Sequence, residues 1–309
     1  MKAVYIQRVG DPDAMQCGEL PAPEITAGEV LIDIQAASVN AADCKTRAGR
    51  QNKPVTRFPH VLGRDFSGVV AAVGAGVEDL AVGMPVFGVC EPGQDGAYAQ
   101  KIAISADKVV VKPDWLTHTQ AASVALIGIT AVVTLESTLQ LKAGERILVQ
   151  GGAGGVGGFA VQLARHLGAT VATTASSANH AYIRNWGVDH IIDYQTCDFT
   201  QHIKDCDAVF DTVGGAVAQD CFRVLRSGGR AAFIASGPEA PASPRADVQA
   251  LRPQVVRKRA HLQRVLSLLQ TGAVALPEIT AFDLSDAAAA HRVSESRHLR
   301  GKLMLQVGM

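Results

Sequence analysis

The stretch VQGGAGGVGGFAVQLARHLGATVATTASS, residues 149–177, constrains this chain more than any other part of it. An apolar run, Ile147–Gln150, leads into a cluster of glycines. The glycines open a helical run through Phe159–His166, and the β-branched run TVATTA follows. Strand, tight turn, helix and second strand in that order build a parallel sheet, because neighbouring parallel strands need a crossover between them. Within the turn, G-x-G-x-x-G falls on Gly152, Gly154 and Gly157. Glycine permits the tight turn and lets backbone N–H groups approach a diphosphate, while the helix N-terminus adds positive partial charge. Alone the pattern is weak. Placed after an apolar strand and ahead of a helix, it reads as a dinucleotide-binding turn in which Gly152, Gly154, Gly155 and Val156 face the cofactor. The alternative is glycine used for turn conformation alone.

The end of the second strand bears on which dinucleotide is bound. Folds that bind NAD usually place Asp or Glu there, roughly twenty residues after the turn, to accept from the ribose hydroxyls. This chain offers Thr173-Thr174-Ala175-Ser176-Ser177, with no acid. A carboxylate would repel a 2′-phosphate, whereas the Ser176 and Ser177 hydroxyls and the N–H groups that follow would bind one. Arg184 would add charge, if it does not simply face solvent, and Tyr194 would pack or hydrogen-bond at the same phosphoribose. The expected cofactor is therefore NADPH.

Around this turn the chain divides into two textures. The first part reads as all-β, with KAVYIQ, EVLIDIQAASV and FSGVVAAVG separated by turn material. From about Leu126 short apolar strands alternate with helices: RILVQ, TVATTA, HIIDY, DAVFDTV and RAAFIAS, with helices over Phe159–His166, Asn179–Trp186 and Ala216–Leu225. That rhythm argues a doubly wound parallel sheet, and so an α/β fold. GPEAPASPRAD reads as a surface loop. RKRAHLQRVLSLLQTG reads as an amphipathic helix whose basic cluster, 257–264, faces solvent, and KLMLQV as a final strand. A chain of 309 residues has room for two domains. Lys and Arg balance Asp and Glu at 29 each, which gives no electrostatic reason for nucleic-acid binding. The start lacks a signal-peptide run, and no apolar stretch reads as long enough to span a bilayer, so no membrane partner and a cytoplasmic location are expected. The six cysteines are scattered without zinc-site spacing and read as reduced side chains.

Several segments together resemble the medium-chain dehydrogenase/reductase superfamily, and within it the zinc-independent quinone oxidoreductases and their enone-reducing relatives. They are MKAV at the start, ASVNAADCKTRAG (37–49), FPHVLGRDFSGVVAAVG (58–74), GAYAQ (96–100), AASVALIGITAVVTL (121–135), ILVQGGAGGVGGFAVQLAR (147–165), IIDY (191–194), FDTVGG (210–215) and RGKLML (300–305). The resemblance implies a GroES-like β-barrel catalytic domain, from residues 1–117 and 256–309, with a Rossmann domain inserted over 118–255. It also implies a cleft for nicotinamide and substrate, and a homodimer.

Zinc-dependent members of the superfamily use a Cys in the VNAAD region and a His-Glu pair in the GRDFSG region. Here Asn40 and Arg64-Asp65 stand at those places. Arginine stays protonated and offers no acceptor, so it cannot hold a metal. A displaced site from Cys44 and His60 is the remaining way to build one, and His60 otherwise reads as structural. Without a metal Lewis acid to stabilise an alkoxide, the fitting acceptors are quinones and α,β-unsaturated carbonyls, already conjugated to an electron-withdrawing group.

The candidate catalytic residues are Asn40, Lys45 and Thr130. Asn40 would hydrogen-bond a cofactor ribose hydroxyl or the acceptor carbonyl; the other reading is a turn cap. By the resemblance, Lys45 would stabilise the enolate formed on hydride addition, unless it is a solvated lysine. By the same resemblance, Thr130 would meet the nicotinamide or its ribose, unless its hydroxyl bonds back to its own helix. Gly128 would permit close approach, and the small side chain of Cys44 would widen the pocket. Asp43 reads as fixing local structure. Val213 and Gly214, then Ala235 and Ser236, follow strand ends, where open α/β sheets bind ligands, and would contribute mainly backbone contacts. The expected function is zinc-independent, NADPH-dependent hydride transfer to a small quinone or enone. The rivals are an enone reductase with little quinone activity and a non-catalytic NADPH-binding sensor or structural protein.

Overall fold

The computed structural model describes residues 1–51, 54–91, 93–94 and 96–308. In chain order the strands are β1 (Lys2–Ile6), β2 (Met15–Glu19), β3 (Glu29–Val39), β4 (His60–Val61), β5 (Asp65–Val73), β6 (Pro85–Val89), β7 (Lys101–Ser105), β8 (Val109–Val111), β9 (Arg146–Gln150), β10 (Thr170–Thr174), β11 (His190–Ile192), β12 (Cys206–Asp211), β13 (Leu225–Phe233), β14 (Gln249–Leu251), β15 (Ile279–Asp283) and β16 (Lys302–Gln306). The helices are α1 (Ala41–Arg47), α2 (His118–Val132), α3 (Gly155–His166), α4 (His180–Arg184), α5 (Phe199–His202), α6 (Ala216–Asp220), α7 (Arg259–Gln270) and α8 (Ala287–Glu295). Two compact units result. One comprises Met1–Leu126, Arg257–Gln263 and Glu278–Met309; the other comprises Ile127–Val256 and Arg264–Pro277.

In the first unit β3 is the spine. It pairs with β16, β5 and β7, all antiparallel. Its residues alternate between partly exposed and buried, with Val30, Ile32 and Ile34 inside, the period of a strand that covers a core with one face. Phe66, Tyr98 and Leu303 fill the same core. This is the GroES-like β-structure that the resemblance implied. Asn40 immediately follows β3 and serves as the N-cap of α1.

In the second unit the described strands run in the order β11-β10-β9-β12-β13-β14, all parallel. This is the doubly wound order in which chain direction reverses beside the first strand, so loops after β9 and β12 diverge at the carboxyl edge. β9 is buried through Ile147–Gln150, as a central parallel strand covered on both faces must be.

Three expectations need correction. First, α2 and its π-helical continuation, His118–Thr138, form one helix of 21 residues, long and apolar enough to cross a membrane; its most apolar 18-residue window has mean hydropathy 1.6, and 83% of that window is buried inside the protein, as in a core helix. Second, the basic cluster of 257–264 is solvated only in part: Lys258 is exposed, but the three arginines are engaged or buried. Arg257 is buried, Arg259 bonds the Val109 and Ala106 carbonyls and Asp79, and Arg264 pairs with Glu136. Third, the helix read over Ala216–Leu225 is a short α-turn and a 3-10 turn, because Leu225 already opens β13.

Candidate functional site

The glycine turn is shaped by the strands beneath it. Gly151 takes φ +76°, its N–H donates to Thr174 Oγ1 at 3.1 Å, and the Gly152 N–H donates to the Thr174 carbonyl at 3.0 Å. A Cβ on Gly152 would overlap Thr173 Oγ1, and one on Gly157 would overlap the Gly151 carbonyl oxygen. Both positions are therefore glycine for packing. Gly154 differs, since its nearest neighbour, the Gly151 carbonyl oxygen, lies at ordinary contact distance, 3.5 Å from where a Cβ would be. Gly154 is the N-cap of α3; it has no side chain to cap with, and the first turn carries no acid. The opening N–H groups thus form an uncapped, electropositive cradle beside an open glycine, which fits a dinucleotide diphosphate.

At the end of β10 the structure adds what sequence reading missed. Thr174 pairs in register with Ile192 of β11, which brings Asp193 beside Ser177. Asp193 Oδ2 accepts from the Ser177 N–H at 3.2 Å and Oδ1 from the Gln195 N–H at 3.0 Å. The acid absent from TTASS is supplied by the neighbouring strand. The Ser177 N–H expected at a 2′-phosphate is therefore already engaged. Ser176 Oγ accepts from Asn179 Nδ2 at 3.2 Å and has its own proton to donate. Arg184 and Tyr194 are both exposed.

The backbone contacts expected after β12 also change. Asp211, fully buried, accepts from the Val213 N–H at 2.8 Å and the Gly214 N–H at 3.0 Å. Those donors are used within the turn, leaving the carbonyls and the 38% exposed Val213 side chain for a ligand. Ser236 Oγ lies 3.5 Å from Asp211 Oδ2, and Ala235 precedes it past the end of β13. Thr130 sits on α2, nearly buried. Gly128 is glycine for a different reason from the one expected: a Cβ there would meet Val265 Cγ2 at 2.6 Å and Phe159 Cε2 at 3.2 Å, so its absence admits protein, not cofactor.

The first unit carries a buried polar network around Asn40. Asn40 Oδ1 accepts from Lys302 Nζ at 2.8 Å, and Asn40 Nδ2 donates to Asp65 Oδ1 at 2.7 Å. Asp65 also accepts from Ser38 Oγ at 2.7 Å and from the Leu126 N–H at 3.2 Å. Burial pushes the Lys302 ammonium down, while Asp65 and Asp43 hold it up. Asp43 accepts the Asn40 N–H at 2.8 Å, closing the first turn of α1, and its other oxygen faces Arg64 Nε at 3.4 Å. Lys45 lies half-buried on α1. Cys44 does not widen a pocket: it is buried with Sγ 4.0 Å from the His291 carbonyl, and burial pushes its thiol up to about 12. His60 pairs with Ile6 as part of β4. Among the described residues no three His, Cys, Asp or Glu side chains converge as a metal site.

Behind Asp43 runs a chain of buried groups. Arg47 Nη1 lies 3.4 Å from His291 Nδ1, His291 Nε2 lies 3.2 Å from the Tyr98 hydroxyl, and that hydroxyl lies 3.3 Å from Asp43 Oδ2. Arginine only donates, which makes Nδ1 the acceptor and leaves the proton on Nε2, donating to Tyr98. Burial and the Arg47 charge push the His291 imidazole down to about 3. An unfolded histidine takes its proton near pH 6.5. Between that pH and 3 the unfolded chain binds a proton that the native protein refuses. Stability present above pH 6.5 is therefore lost as pH falls, at up to about 1.4 kcal/mol per pH unit. Between pH 7.5 and 4.5 the wild type is expected to lose about 3 kcal/mol more stability than His291→Gln, read by urea unfolding at each pH.

Comparison with known proteins is consistent with both neighbourhoods. Residues 26–114 match the alcohol dehydrogenase GroES-like domain family and residues 186–305 the zinc-binding dehydrogenase family. A solved quinone oxidoreductase from Coxiella burnetii superposes with TM-score 0.93 at 33% identity, covering 100% of this chain and 99% of that one. The Escherichia coli quinone oxidoreductase, solved in complex with NADPH, gives TM-score 0.89 at 25% identity over 99% and 100% of the two chains. The chloroplastic NADPH-dependent alkenal/one oxidoreductase of Arabidopsis thaliana is 36% identical over 74% of this chain and 61% of its own length. The chain also matches a much longer relative, the mycocerosic acid synthase-like polyketide synthase of Mycobacterium tuberculosis, at 30% identity, spanning 98% of itself but 15% of that protein. This chain belongs to the medium-chain dehydrogenase/reductase superfamily, in its quinone oxidoreductase and alkenal reductase branch.

Proposed function

We propose that the protein is a zinc-independent, NADPH-dependent reductase that delivers hydride to quinones or α,β-unsaturated carbonyls. The observation that carries this reading is the occupancy of the would-be metal positions. Asn40 is held between Lys302 and Asp65, and Arg64 is paired with Asp43, so neither presents a metal ligand. An acceptor must therefore be one that needs no Lewis acid.

When bound, the reduced nicotinamide supplies the hydride. The uncapped start of α3 and the open face of Gly154 hold its diphosphate. Asn40 is the ribose ligand of the two roles considered. Its Nδ2 is committed to Asp65, with Ser38 and Asp43 at 3.3 Å, whereas Oδ1 has a second lone pair for a hydroxyl. Thr130 serves at the nicotinamide end, and Lys45 stabilises the developing enolate. Ser176 donates to a 2′-phosphate; Arg184, at the end of α4, and Tyr194, two residues past β11, are exposed and would add charge and a hydroxyl. A homodimer belongs to the same reading and is measured by light scattering.

The test is NADPH and NADH oxidation by chelator-treated protein with quinones, alkyl enones and 2-alkenals. Turnover of quinones or enones after chelation is expected, with NADPH preferred. Turnover of enones alone selects the enone-reductase form. NADPH binding with no turnover of any acceptor moves the protein to the sensor reading. Asp193 is a like charge beside the phosphoribose position, so Asp193→Asn is expected to raise the NADPH over NADH ratio in kcat/KM about tenfold, while its remaining oxygen keeps the turn.

A further inference from the structure

Arg257, two residues ahead of α7, is 5% exposed, and among the described residues its Nε and Nη1 have no hydrogen-bond partner. Its charged surroundings belong to the first unit: Arg64 repels it, and Glu91 and Asp65 attract it. Those carboxylates are already engaged. Asp65 accepts from Asn40, Ser38 and the Leu126 N–H, and Glu91 pairs with Lys108 at 2.9 Å. Arg64 is engaged as well, with Asp43, with Thr46 Oγ1 at 3.0 Å and with Gln51 Oε1 at 3.3 Å. A guanidinium has five donors and no acceptor and keeps its charge in proteins. Burying it with two donors unmatched is costly, unless another molecule supplies the acceptors.

We propose that Arg257 is the anchor for a carboxylate carried by the acceptor substrate, which narrows the acceptor class to enones or quinones bearing an acid group. This rests on the reductase reading above. The planar fork of a guanidinium matches the two oxygens of a carboxylate. One uncompensated cation fits a monoanion, whereas a dianionic phosphate would set excess negative charge near Asp65 and Glu91. A neutral carbonyl would leave the charge unmatched. The first turn of α7, which begins two residues after Arg257, contains no acidic residue, so no carboxylate there offsets the positive partial charge of the helix start.

The test measures binding without turnover. 4-Oxopentanoate, a saturated keto acid that cannot alkylate cysteine, is titrated calorimetrically at low salt against its methyl ester and inorganic phosphate. The keto acid is expected to bind wild type at least tenfold more tightly than the ester or phosphate. Arg257→Met is expected to lose at least tenfold in keto-acid affinity, to leave the ester unchanged and to keep or raise Tm, because no partner is orphaned; Arg257→Lys is expected to retain part of the affinity. Equal affinity for acid and ester, tighter phosphate binding, or an unchanged Arg257→Met overturns the assignment. So does an equal loss of NADPH affinity in Arg257→Met, read by nicotinamide fluorescence, since the arginine then serves the cofactor. Failure here leaves NADPH oxidation by neutral enones intact, whereas failure of the reductase reading removes turnover with every acceptor.

Discussion

Gly157→Ala is expected to abolish NAD(P)H binding and to cost about 3 kcal/mol of stability, whereas Gly154→Ala is expected to weaken binding while costing about 1 kcal/mol or less. The two glycines belong to one motif but answer to different neighbours. A Cβ on Gly157 falls onto the Gly151 carbonyl oxygen, with the Gly151 carbonyl carbon 2.8 Å and Gly152 Cα 3.2 Å away. All three are backbone atoms, so no rotamer change relieves the overlap, and the start of α3 must move off the turn. A Cβ on Gly154 meets only the Gly151 carbonyl oxygen at 3.5 Å. The protein tolerates it, and what it blocks is the approach of a diphosphate to the first N–H groups of the helix. Fluorescence titration of NADPH and thermal unfolding of both variants separate the effects. Unchanged affinity in Gly154→Ala would remove the diphosphate from that face.

Asp65→Ala is expected to be the most disruptive change in the first unit, costing about 3–5 kcal/mol, as removal of one partner from a buried ion-paired network does. It removes the acceptor shared by Asn40 Nδ2 and Ser38 Oγ, both 2.7 Å from Asp65 Oδ1, and by the Leu126 N–H, leaving Asn40 Nδ2 only its longer contacts to Ser38 and Asp43. It also removes the carboxylate that does most to hold up the ammonium of Lys302, which is 3% exposed. Lys302→Met removes the cation that Asp65 offsets. The double variant is therefore expected to be more stable than the sum of the single losses predicts, by about 1–3 kcal/mol. Strict additivity in urea unfolding would show that the two charges do not interact. The same pair sets the orientation of the Asn40 amide, so Lys302→Met is also expected to raise the KM for NAD(P)H more than it lowers kcat.

The dinucleotide-binding unit was legible in the sequence because its signals are local. A strand, a glycine turn and a helix within Ile147–His166 report on neighbours a few residues apart, and the βα rhythm after it implies parallel pairing. Candidates whose role depends on distant partners fared differently. Gly128 looked like a residue kept small for a ligand, but the atoms that demand it belong to Val265 and Phe159. Cys44 looked like part of a pocket wall, but it turns into the core against α8. The basic residues of 257–264 looked like a solvated stripe, since charge in one segment carries no record of what packs on it.

By itself the sequence determined the two-part architecture, the glycine turn with its helix start, and the substitution of Asn40 and Arg64 for residues that could hold a metal. Side-chain chemistry and short-range backbone preference are enough for those. Only the tertiary structure decided which groups meet. Register between β10 and β11 brought Asp193 to Ser177, the pairing of β16 with β3 placed Lys302 on Asn40 across 262 residues of chain, and burial left Arg257 with two donors unmatched. Strand register and burial arise from the whole core closing at once, so no single segment carries them.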